Sequence, residues 1–121
     1  MNKLESLAQT AIARIATIDN VHEFSDDHIA CATVTMTTVD GEQFSHDFMW
    51  IGTSCVAAFE YFNATPKARE NVVPAFVTAL EIVLEDFGEN TDDDEGEWHL
   101  LNLAGFTSIE EVNLVLDEIY S

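Results

Sequence analysis

The side chains best suited to bind a charged ligand form one acidic run between residues 81 and 97. It holds nine carboxylates in 17 residues: Glu81, Glu85, Asp86, Glu89, Asp92, Asp93, Asp94, Glu95 and Glu97. On a helix, acids four residues apart lie on one face, with a rise of about 6 Å between neighbours. Such rows attract cations or a basic protein surface. The run is therefore our candidate partner-binding surface, and four further acids could extend it: Glu110, Glu111, Asp117 and Glu118.

The acidic charge is unevenly distributed along the chain. Of 121 residues, 23 are Asp or Glu and 4 are Lys or Arg, which gives a formal charge of −19. Residues 1–69 hold 9 acids and all 4 bases, whereas residues 70–121 hold 14 acids and no base. Like charges four residues apart on a helix destabilise it by about 0.2–0.5 kcal/mol per pair. Selection for stability alone therefore does not account for the run.

Three interpretations of this charge are open. A solvated acidic coat would keep a small protein soluble, and a protein adapted to high salt would carry acids over every surface. The second interpretation fits poorly, because the chain has eight Phe and a hairpin region with little charge. The third is a surface that binds a basic partner. We favour it because the excess charge is concentrated in one half of the chain.

A basic groove in a protein most often holds nucleic acid, so the predicted partner is a nucleic-acid-binding protein or a nuclease. In size and charge the chain is similar to the acidic DNA-mimic inhibitors that phages and mobile elements encode, including anti-restriction and anti-CRISPR proteins. The similarity is one of composition and covers no alignable segment, so it transfers no residue. Immunity proteins that cap basic nuclease toxins follow the same physical logic. The alternative is a structural or chaperone-like viral assembly module that binds through apolar surface.

Composition also excludes several classes. Hydrophobic residues make up 47% of the chain, which indicates a folded core rather than an acidic disordered tail. Four bases cannot neutralise the phosphates of a nucleic acid or the headgroups of an anionic membrane, so we expect neither as a direct partner. The two cysteines are too few for a disulfide scaffold, and the N-terminus has no apolar signal stretch. These features predict a cytoplasmic protein with free thiols.

Patterns for metal binding or catalysis are weak. Residues 90–96 alternate acids as a calcium loop does. Aligning Gly96 with the sixth loop position, however, puts Thr91 first and Asn102 twelfth, where Asp and Glu are expected. No two histidines or cysteines share a metal-ligand spacing. A helix beginning near Cys55 could lower the pKa of its thiol, but core packing is the favoured interpretation. We expect no metal, no cofactor and no enzymatic activity.

The most definite elements are two strands joined by a tight turn. Residues 29–39 are rich in Thr, Val and Ala, residues 43–51 are aromatic, and Asp40-Gly41 between them predicts a two-residue hairpin turn. That turn would pair Thr37 with Phe44, Thr35 with His46, Thr33 with Phe48, and Cys31 with Trp50. A short strand at residues 20–24 and a turn at residues 25–28 would make a small meander, over about residues 21–51.

Helical periodicity flanks this hairpin region. Apolar residues at spacings of three and four predict a helix over residues 3–18. After Gly52 the spacing of apolar residues becomes helical again, and Thr53 or Ser54 is expected to cap the next helix.

A further helix is expected to start at Thr65-Pro66, with Thr as the cap and Pro in the first turn. Pro74 should interrupt or restart it. Residues 75–87 then present a long buried face, which includes Phe76 and Leu80 and which Gly88 is expected to end. An acidic loop is expected over residues 89–97.

The C-terminal third is helical at its end. Residues 98–103 are apolar and fit either a strand or a short helix. Thr107 and Glu110 have capping-box spacing. The apolar stripe behind them reaches the C-terminus and consists of Ile109, Val112, Val115, Leu116 and Ile119. Together the elements predict one α+β domain over residues 1–121, with N-terminal, central and C-terminal helices packed on the antiparallel strands.

Overall fold

The residues that the structure describes, 3–89 and 95–120, form a meander of three antiparallel strands and five α-helices in one compact arrangement. The structure is a computed structural model. In chain order the elements are α1 (Lys3–Ala13), β1 (Ile15–Asp26), β2 (Ile29–Thr38), β3 (Gln43–Phe48), α2 (Thr53–Glu60), a 3₁₀ helix (Pro66–Val72), α3 (Val73–Glu89), α4 (Glu95–Ala104) and α5 (Ile109–Tyr120). This arrangement confirms the α+β class expected from the sequence.

The β2–β3 hairpin closes through three residues rather than two. The Thr38 N–H donates to the Glu42 carbonyl at 2.8 Å, and the Gly41 N–H donates to the Thr38 carbonyl at 3.0 Å. Gly41 has a φ of +92°, whereas Asp40 keeps a negative φ. A three-residue loop needs only one residue in the left-handed region, and glycine adopts it without strain. The two-residue turn predicted at Asp40-Gly41 is therefore wrong.

The extra loop residue shifts the pairing of β3 by one position. The predicted partners are therefore wrong for Thr37 with Phe44, Thr35 with His46, Thr33 with Phe48, and Cys31 with Trp50. In the structure, Phe44 pairs with Met36, His46 with Val34, and Phe48 with Ala32. A shift of one residue exchanges the two faces of a strand.

The corrected register separates an apolar face from a polar one. Ala32, Val34 and Met36 are fully buried and face the core with Phe48. The other face carries cross-strand hydrogen bonds between small polar side chains. Thr33 Oγ1 donates to Asp47 Oδ1 at 2.7 Å, and the hydroxyls of Thr35 and Ser45 lie 3.0 Å apart. Helices therefore need to cover only the apolar face.

The N-terminal helix is shorter than its apolar pattern predicts. It ends at Ala13, and β1 begins at Ile15, so the helix predicted over residues 3–18 and the short strand predicted at residues 20–24 are both wrong in extent. Ile15 and Ile18 are nonetheless buried, because the register of β1 shifts between Ile15 and Thr17. That irregularity lets two residues three apart face the same side of a sheet.

The turn between β1 and β2 lies within the predicted residues 25–28. Asp27 and His28 both have positive φ, 51° and 68°, as a two-residue hairpin turn requires. A second register shift in β1, between Asp19 and His22, coincides with a positive φ at Asn20. The first hairpin is thus longer than expected, and it is bent by this irregularity.

The helix α2 and the 3₁₀ helix have different kinds of N-cap residue. Gly52 is the N-cap of α2, with a φ of +87° and no side-chain capping hydrogen bond, so the cap predicted at Thr53 or Ser54 is wrong. Thr65 does cap the 3₁₀ helix, as predicted, and its Oγ1 accepts from the Ala68 N–H at 3.1 Å.

The long helix α3 begins at Val73, so Pro74 lies in its first turn, where the missing N–H removes no helical hydrogen bond. Pro74 therefore marks a restart, one of the two outcomes expected for it. The helix continues through Gly88 to Glu89, so Gly88 does not end it as predicted. Its buried residues include Phe76 and Leu80, both on the predicted apolar face.

An aromatic cluster joins the sheet to the central helices. The ring of Phe48 in β3 lies 4.7 Å from that of Phe59 in α2 and 5.2 Å from that of Phe76 in α3. All three side chains are fully buried. The first pair is tilted and the second is edge-on, and aromatic contacts at these distances add to the free energy of simple burial.

The C-terminal elements are both helical. Residues 98–103, for which the sequence allowed strand or helix, lie in α4. The cap of α5 is displaced by one residue from the prediction. The Glu111 N–H donates to Ser108 Oγ at 3.3 Å, so the capping pair is Ser108 and Glu111 rather than Thr107 and Glu110.

Candidate acidic interface

The first two acids of the predicted run lie on the exposed stripe of α3. Glu81 and Glu85 are exposed, whereas Leu80 and Leu84 beside them are fully buried. The helix must bury its apolar face against α1 and α5, and this fixes the direction in which the two carboxylates point. Their four-residue spacing puts both on one line along the helix surface.

The rest of the run is divided between two helices and the segment that joins them. Asp86 and Glu89 belong to α3, and Glu95 and Glu97 belong to α4. Residues 92–94, which are Asp92, Asp93 and Asp94, lie outside the described residues. The sequence prediction placed residues 89–97 in an acidic loop, but α3 includes Glu89 and α4 begins at Glu95. The loop prediction is therefore wrong at residue 89 and at residues 95–97, and residues 90–94 lie outside the described residues.

The four acids proposed as extensions lie on two sides of α5. Glu110 and Asp117 are exposed, three and four residues from the exposed Asn113. Glu111 and Glu118 are seven residues apart and line a groove between α5 and α1. These two pairs therefore present charge in different directions.

Glu111 is held in one orientation by Thr107. The Thr107 hydroxyl donates to Glu111 Oε1 at 2.6 Å, and the Thr107 N–H donates to Glu111 Oε2 at 3.1 Å. The hydroxyl bond, and after it the backbone bond, lowers the pKa of the Glu111 carboxyl. Glu111 is therefore a fixed negative charge at the start of α5, where the helix dipole also favours an anion.

The two arginines are bound to main-chain carbonyls. Arg14 Nη1 donates to the Asn102 carbonyl at 3.1 Å. Arg69 donates to the carbonyls of Ile15 and Ala16 at 3.3 and 3.1 Å, and its guanidinium carbon lies 5.0 Å from the centre of the Phe62 ring. Both arginines therefore connect separate parts of the fold, a role that no sequence pattern indicated.

The lysines neutralise little of the acidic surface. Lys3 Nζ lies 3.9 Å from Glu118 Oε2, and both side chains are at least half exposed. Lys67 is exposed on the 3₁₀ helix. An exposed pair at that distance contributes about 0–1 kcal/mol and is weakened by salt.

The groove between α1 and α5 is a feature that the sequence prediction missed. We call it the α1–α5 groove; its volume is about 450 Å³ and its lining residues are Lys3, Leu7, Ala104, Gly105, Phe106, Glu111, Leu114, Val115 and Glu118. Phe106 is buried at its base, and Leu114 is 66% exposed. The predicted apolar stripe of α5 did not include Leu114, which lies beside that stripe and not within it. An apolar residue outside the core stripe of a helix was the available signal.

The two cysteines and two of the four histidines lie in or beside the core, whereas His22 and His28 are exposed. Cys31 and Cys55 are buried free thiols, and burial raises the pKa of Cys55 more than its hydrogen bond from Ser54 lowers it. His99 stacks on Phe44 at 4.8 Å, and His46 packs edge-on against Phe48. Within residues 3–89 and 95–120, no group of three or more His, Cys, Asp or Glu side chains is arranged to hold a metal ion.

Comparisons with known proteins identify no relative. The chain matches no protein-family model, no curated protein and no solved structure. None of the helices in the described part of the chain combines the length and the apolar character required to cross a bilayer. Proposals about function therefore rest on the charges, contacts and exposures described above.

Proposed function

We propose that this chain is a non-enzymatic cytoplasmic inhibitor that binds a basic, nucleic-acid-binding protein by presenting carboxylates in place of phosphates. Anti-restriction and anti-CRISPR proteins of phages and mobile elements are examples of this class. The chain would need no cofactor, and it would contact neither nucleic acid nor membrane directly. Electrostatic attraction would speed its association with the partner, and bound chain would exclude nucleic acid from the partner's groove.

The observation that carries this proposal is the separation of the acids from the bases. Glu81, Glu85, Glu110 and Asp117 are exposed, whereas the guanidinium groups of the two arginines donate to main-chain carbonyls. A surface evolved only for solubility would gain helix stability by placing Lys between such acids. The half of the chain beyond residue 69 has no Lys or Arg at all.

Capture of basic proteins tests this proposal. The immobilised chain is exposed to the nuclease-treated, heparin-binding fraction of a bacterial lysate. We expect a captured protein that is released by about 0.5 M NaCl, where the screening length falls below ~5 Å. Added duplex DNA should release it as well, because DNA and the chain would compete for one groove. A protein that DNA cannot displace would contradict charge mimicry.

Matched variants separate this surface from net charge. Glu81→Lys with Glu85→Lys should abolish capture, because it reverses the exposed charge of α3. The control is Glu23→Lys with Glu60→Lys, which changes the net charge equally at exposed positions of β1 and α2. Equal loss in both double variants would show that bulk charge, and not this surface, is responsible. Charge reversal of residues 92–94 to Lys tests the adjoining acids in the same way.

A second candidate function rests on a different surface. Ile29 and Trp50 are each 41% exposed, and the Trp50 N–H donates to the Sγ of the buried Cys31, two residues from Ile29. Trp50 has a φ of +62°, which is strained for a large aromatic residue. An exposed apolar site of this kind favours a structural or chaperone-like viral assembly module. Complex formation that is unchanged in about 0.5 M NaCl, and lost in Trp50→Gln, would support it over charge mimicry.

A further inference from the structure

We infer that the α1–α5 groove binds a basic amphipathic helix of the partner, with apolar side chains in the groove and Lys or Arg at its rim. This inference rests on the proposed function, from which it takes the basic character of the partner. It adds the place and the secondary structure of the recognised segment. Nothing in the acidic run itself requires such a site.

The base of the groove is apolar. Phe106 and Ala104 are buried there, and the half-buried Leu7 and Val115 form its two walls. Leu114 lies on the rim with 66% of its surface exposed, more than the exposed aliphatic residues Val39 and Ile29. A volume of about 450 Å³ is within the ~300–1,000 Å³ of sites that enclose a ligand. Apolar side chains entering the groove would cover Leu114.

The acidic residues on the rim favour a positively charged occupant. Glu111 and Glu118 lie on the α5 side of the groove, and two hydrogen bonds from Thr107 hold the Glu111 carboxylate in one orientation. The chain carries a formal charge of −19, which opposes occupation by a second copy, by nucleic acid or by an anionic membrane. A basic segment is the occupant whose charge is complementary to this rim.

The two helices that flank the groove favour a helical ligand. The helices α1 and α5 both pack on α3, so a helix lying between them would complete a layer of helices above α3. An amphipathic helix offers apolar side chains at positions i, i+3, i+4 and i+7, which is the pattern that helix-binding grooves recognise. A strand would instead need an open sheet edge, and the groove has none among its lining residues.

Lys3 is the group that competes with such a ligand. Its Nζ is 3.9 Å from Glu118 Oε2, at the mouth of the groove. A cation of the incoming helix would replace this weak contact. Removal of the Lys3 charge should therefore strengthen binding of a basic helix, a result that a merely structural role of Lys3 does not predict.

The probe is a synthetic peptide of about 18 residues, or five helical turns, with Leu at helical spacing and Lys elsewhere. A scrambled peptide of the same composition has no apolar stripe. Titration calorimetry gives the affinities, and amide NMR shifts of Gly105 and of α5 locate the site. We expect the amphipathic peptide to bind at least about 10-fold more tightly than the scrambled one, because only it can bury Leu in the groove.

Two pairs of variants test the site itself. Leu114→Gln should weaken the amphipathic peptide by about 10-fold, whereas Tyr61→Gln, at a residue 65% exposed on α2's C-terminal side, should leave it unchanged. Lys3→Gln should strengthen it by about 2- to 5-fold. Lys67→Gln makes the same charge change at an exposed position outside the groove and should have a smaller effect.

The possible results separate the two proposals. Equal binding of the amphipathic and scrambled peptides, or an unchanged affinity in Leu114→Gln, overturns the groove inference. Charge mimicry then still stands if lysate capture fails in Glu81→Lys with Glu85→Lys. Tight binding of a Leu and Glu peptide would also overturn the inference, since the groove would then ignore charge. Groove binding without any DNA-displaceable capture would instead reject the proposed function and keep the site.

Discussion

The side-chain amide of Asn63 pairs with both main-chain polar groups of Ile18. Asn63 Oδ1 accepts from the Ile18 N–H at 3.1 Å, and Asn63 Nδ2 donates to the Ile18 carbonyl at 2.9 Å. The amide therefore substitutes for a neighbouring strand at the outer edge of β1. Arg69 satisfies the carbonyls of Ile15 and Ala16 just before it. Two side chains thus close part of an edge that could otherwise pair with another chain.

Asn63→Ala should lower the free energy of unfolding by about 1–2 kcal/mol, because it removes two hydrogen bonds from β1. Urea unfolding measures this change. Asn113→Ala, at an exposed position of α5, should stay within about 0.5 kcal/mol of the native chain. Equal stabilities of the two variants would show that the edge contact contributes nothing.

Arg69→Gln should destabilise the fold by about 1.5–3 kcal/mol, since a charged donor to two carbonyls is lost together with its contact on Phe62. Lys67→Gln removes the same charge two residues away and is the control. Chemical denaturation of both variants provides the comparison. A loss below about 0.5 kcal/mol in Arg69→Gln would contradict the structural role assigned to this arginine.

Glu85→Lys should raise the free energy of unfolding while it weakens capture of a basic partner. The change replaces a repulsive Glu81–Glu85 pair on α3 by an attractive one of the favoured order, a gain of about 0.4–1 kcal/mol. Glu23→Lys on β1 has the same charge change and no such pair along a helix. Thermal unfolding and the capture assay, applied to both variants, test whether the acidic stripe is kept at the expense of stability.

Ser108→Ala should destabilise α5 by about 0.5–2 kcal/mol, because it removes the side-chain acceptor for the Glu111 N–H. Asn113→Ala again serves as the control, here within the same helix. Helix content by circular dichroism and the unfolding midpoint measure the effect. A change no larger than that of the control would mean that Glu111 and Thr107 cap the helix without Ser108.

The contribution of Glu111 should depend on pH in a defined direction. Its pKa is lowered in the folded chain from the usual 4.5, so its stabilising effect is complete above that value and is lost as pH falls through the folded pKa. The stability difference between the native chain and Glu111→Gln should therefore be present at pH 7 and shrink at pH 3. A difference that is constant over this range would contradict the Thr107 hydrogen bonds as its cause.

The sequence predicted the kinds of element better than their limits. At residues 12–18, the spacing of Ile12, Ile15 and Ile18 fits a helix, yet the last two belong to β1. Pairing with β2 outweighs local helical preference there, and an irregularity in the strand keeps both isoleucines in the core. Periodicity alone cannot reveal that competition, because both alternatives bury the same residues.

Two other differences between the prediction and the structure arise because the sequence allows two alternatives that differ by one residue. Asp40-Gly41 is compatible with a two-residue or a three-residue loop, and only strand pairing decides which is formed. Likewise both Thr107 with Glu110 and Ser108 with Glu111 have capping-box spacing. Tertiary contacts of α5 select the second pair by burying Val112 and leaving Glu110 exposed.

Part of the candidate site could be predicted from the sequence, and part could not. The exposure of Glu81 and Glu85 could be read from the apolar residues beside them, since a buried face determines an exposed one. Leu114 indicated an exposed apolar residue on α5, but the α1–α5 groove itself could not be read from the sequence, because it joins residues more than 90 positions apart, such as Lys3 and Glu118. The hydrogen bonds from both arginines to main-chain carbonyls could not be predicted either, because a composition shows how many charges a chain has but not what they contact.

The confinement of all four bases to the first 69 residues has a practical consequence for proteolysis. Trypsin cleaves after Lys and Arg, so it has no site beyond Arg69. Cleavage there requires the guanidinium to leave the carbonyls of Ile15 and Ala16, which the folded chain holds in place. Release of the fragment that follows Arg69 would then report how often this part of the fold opens, with no label introduced.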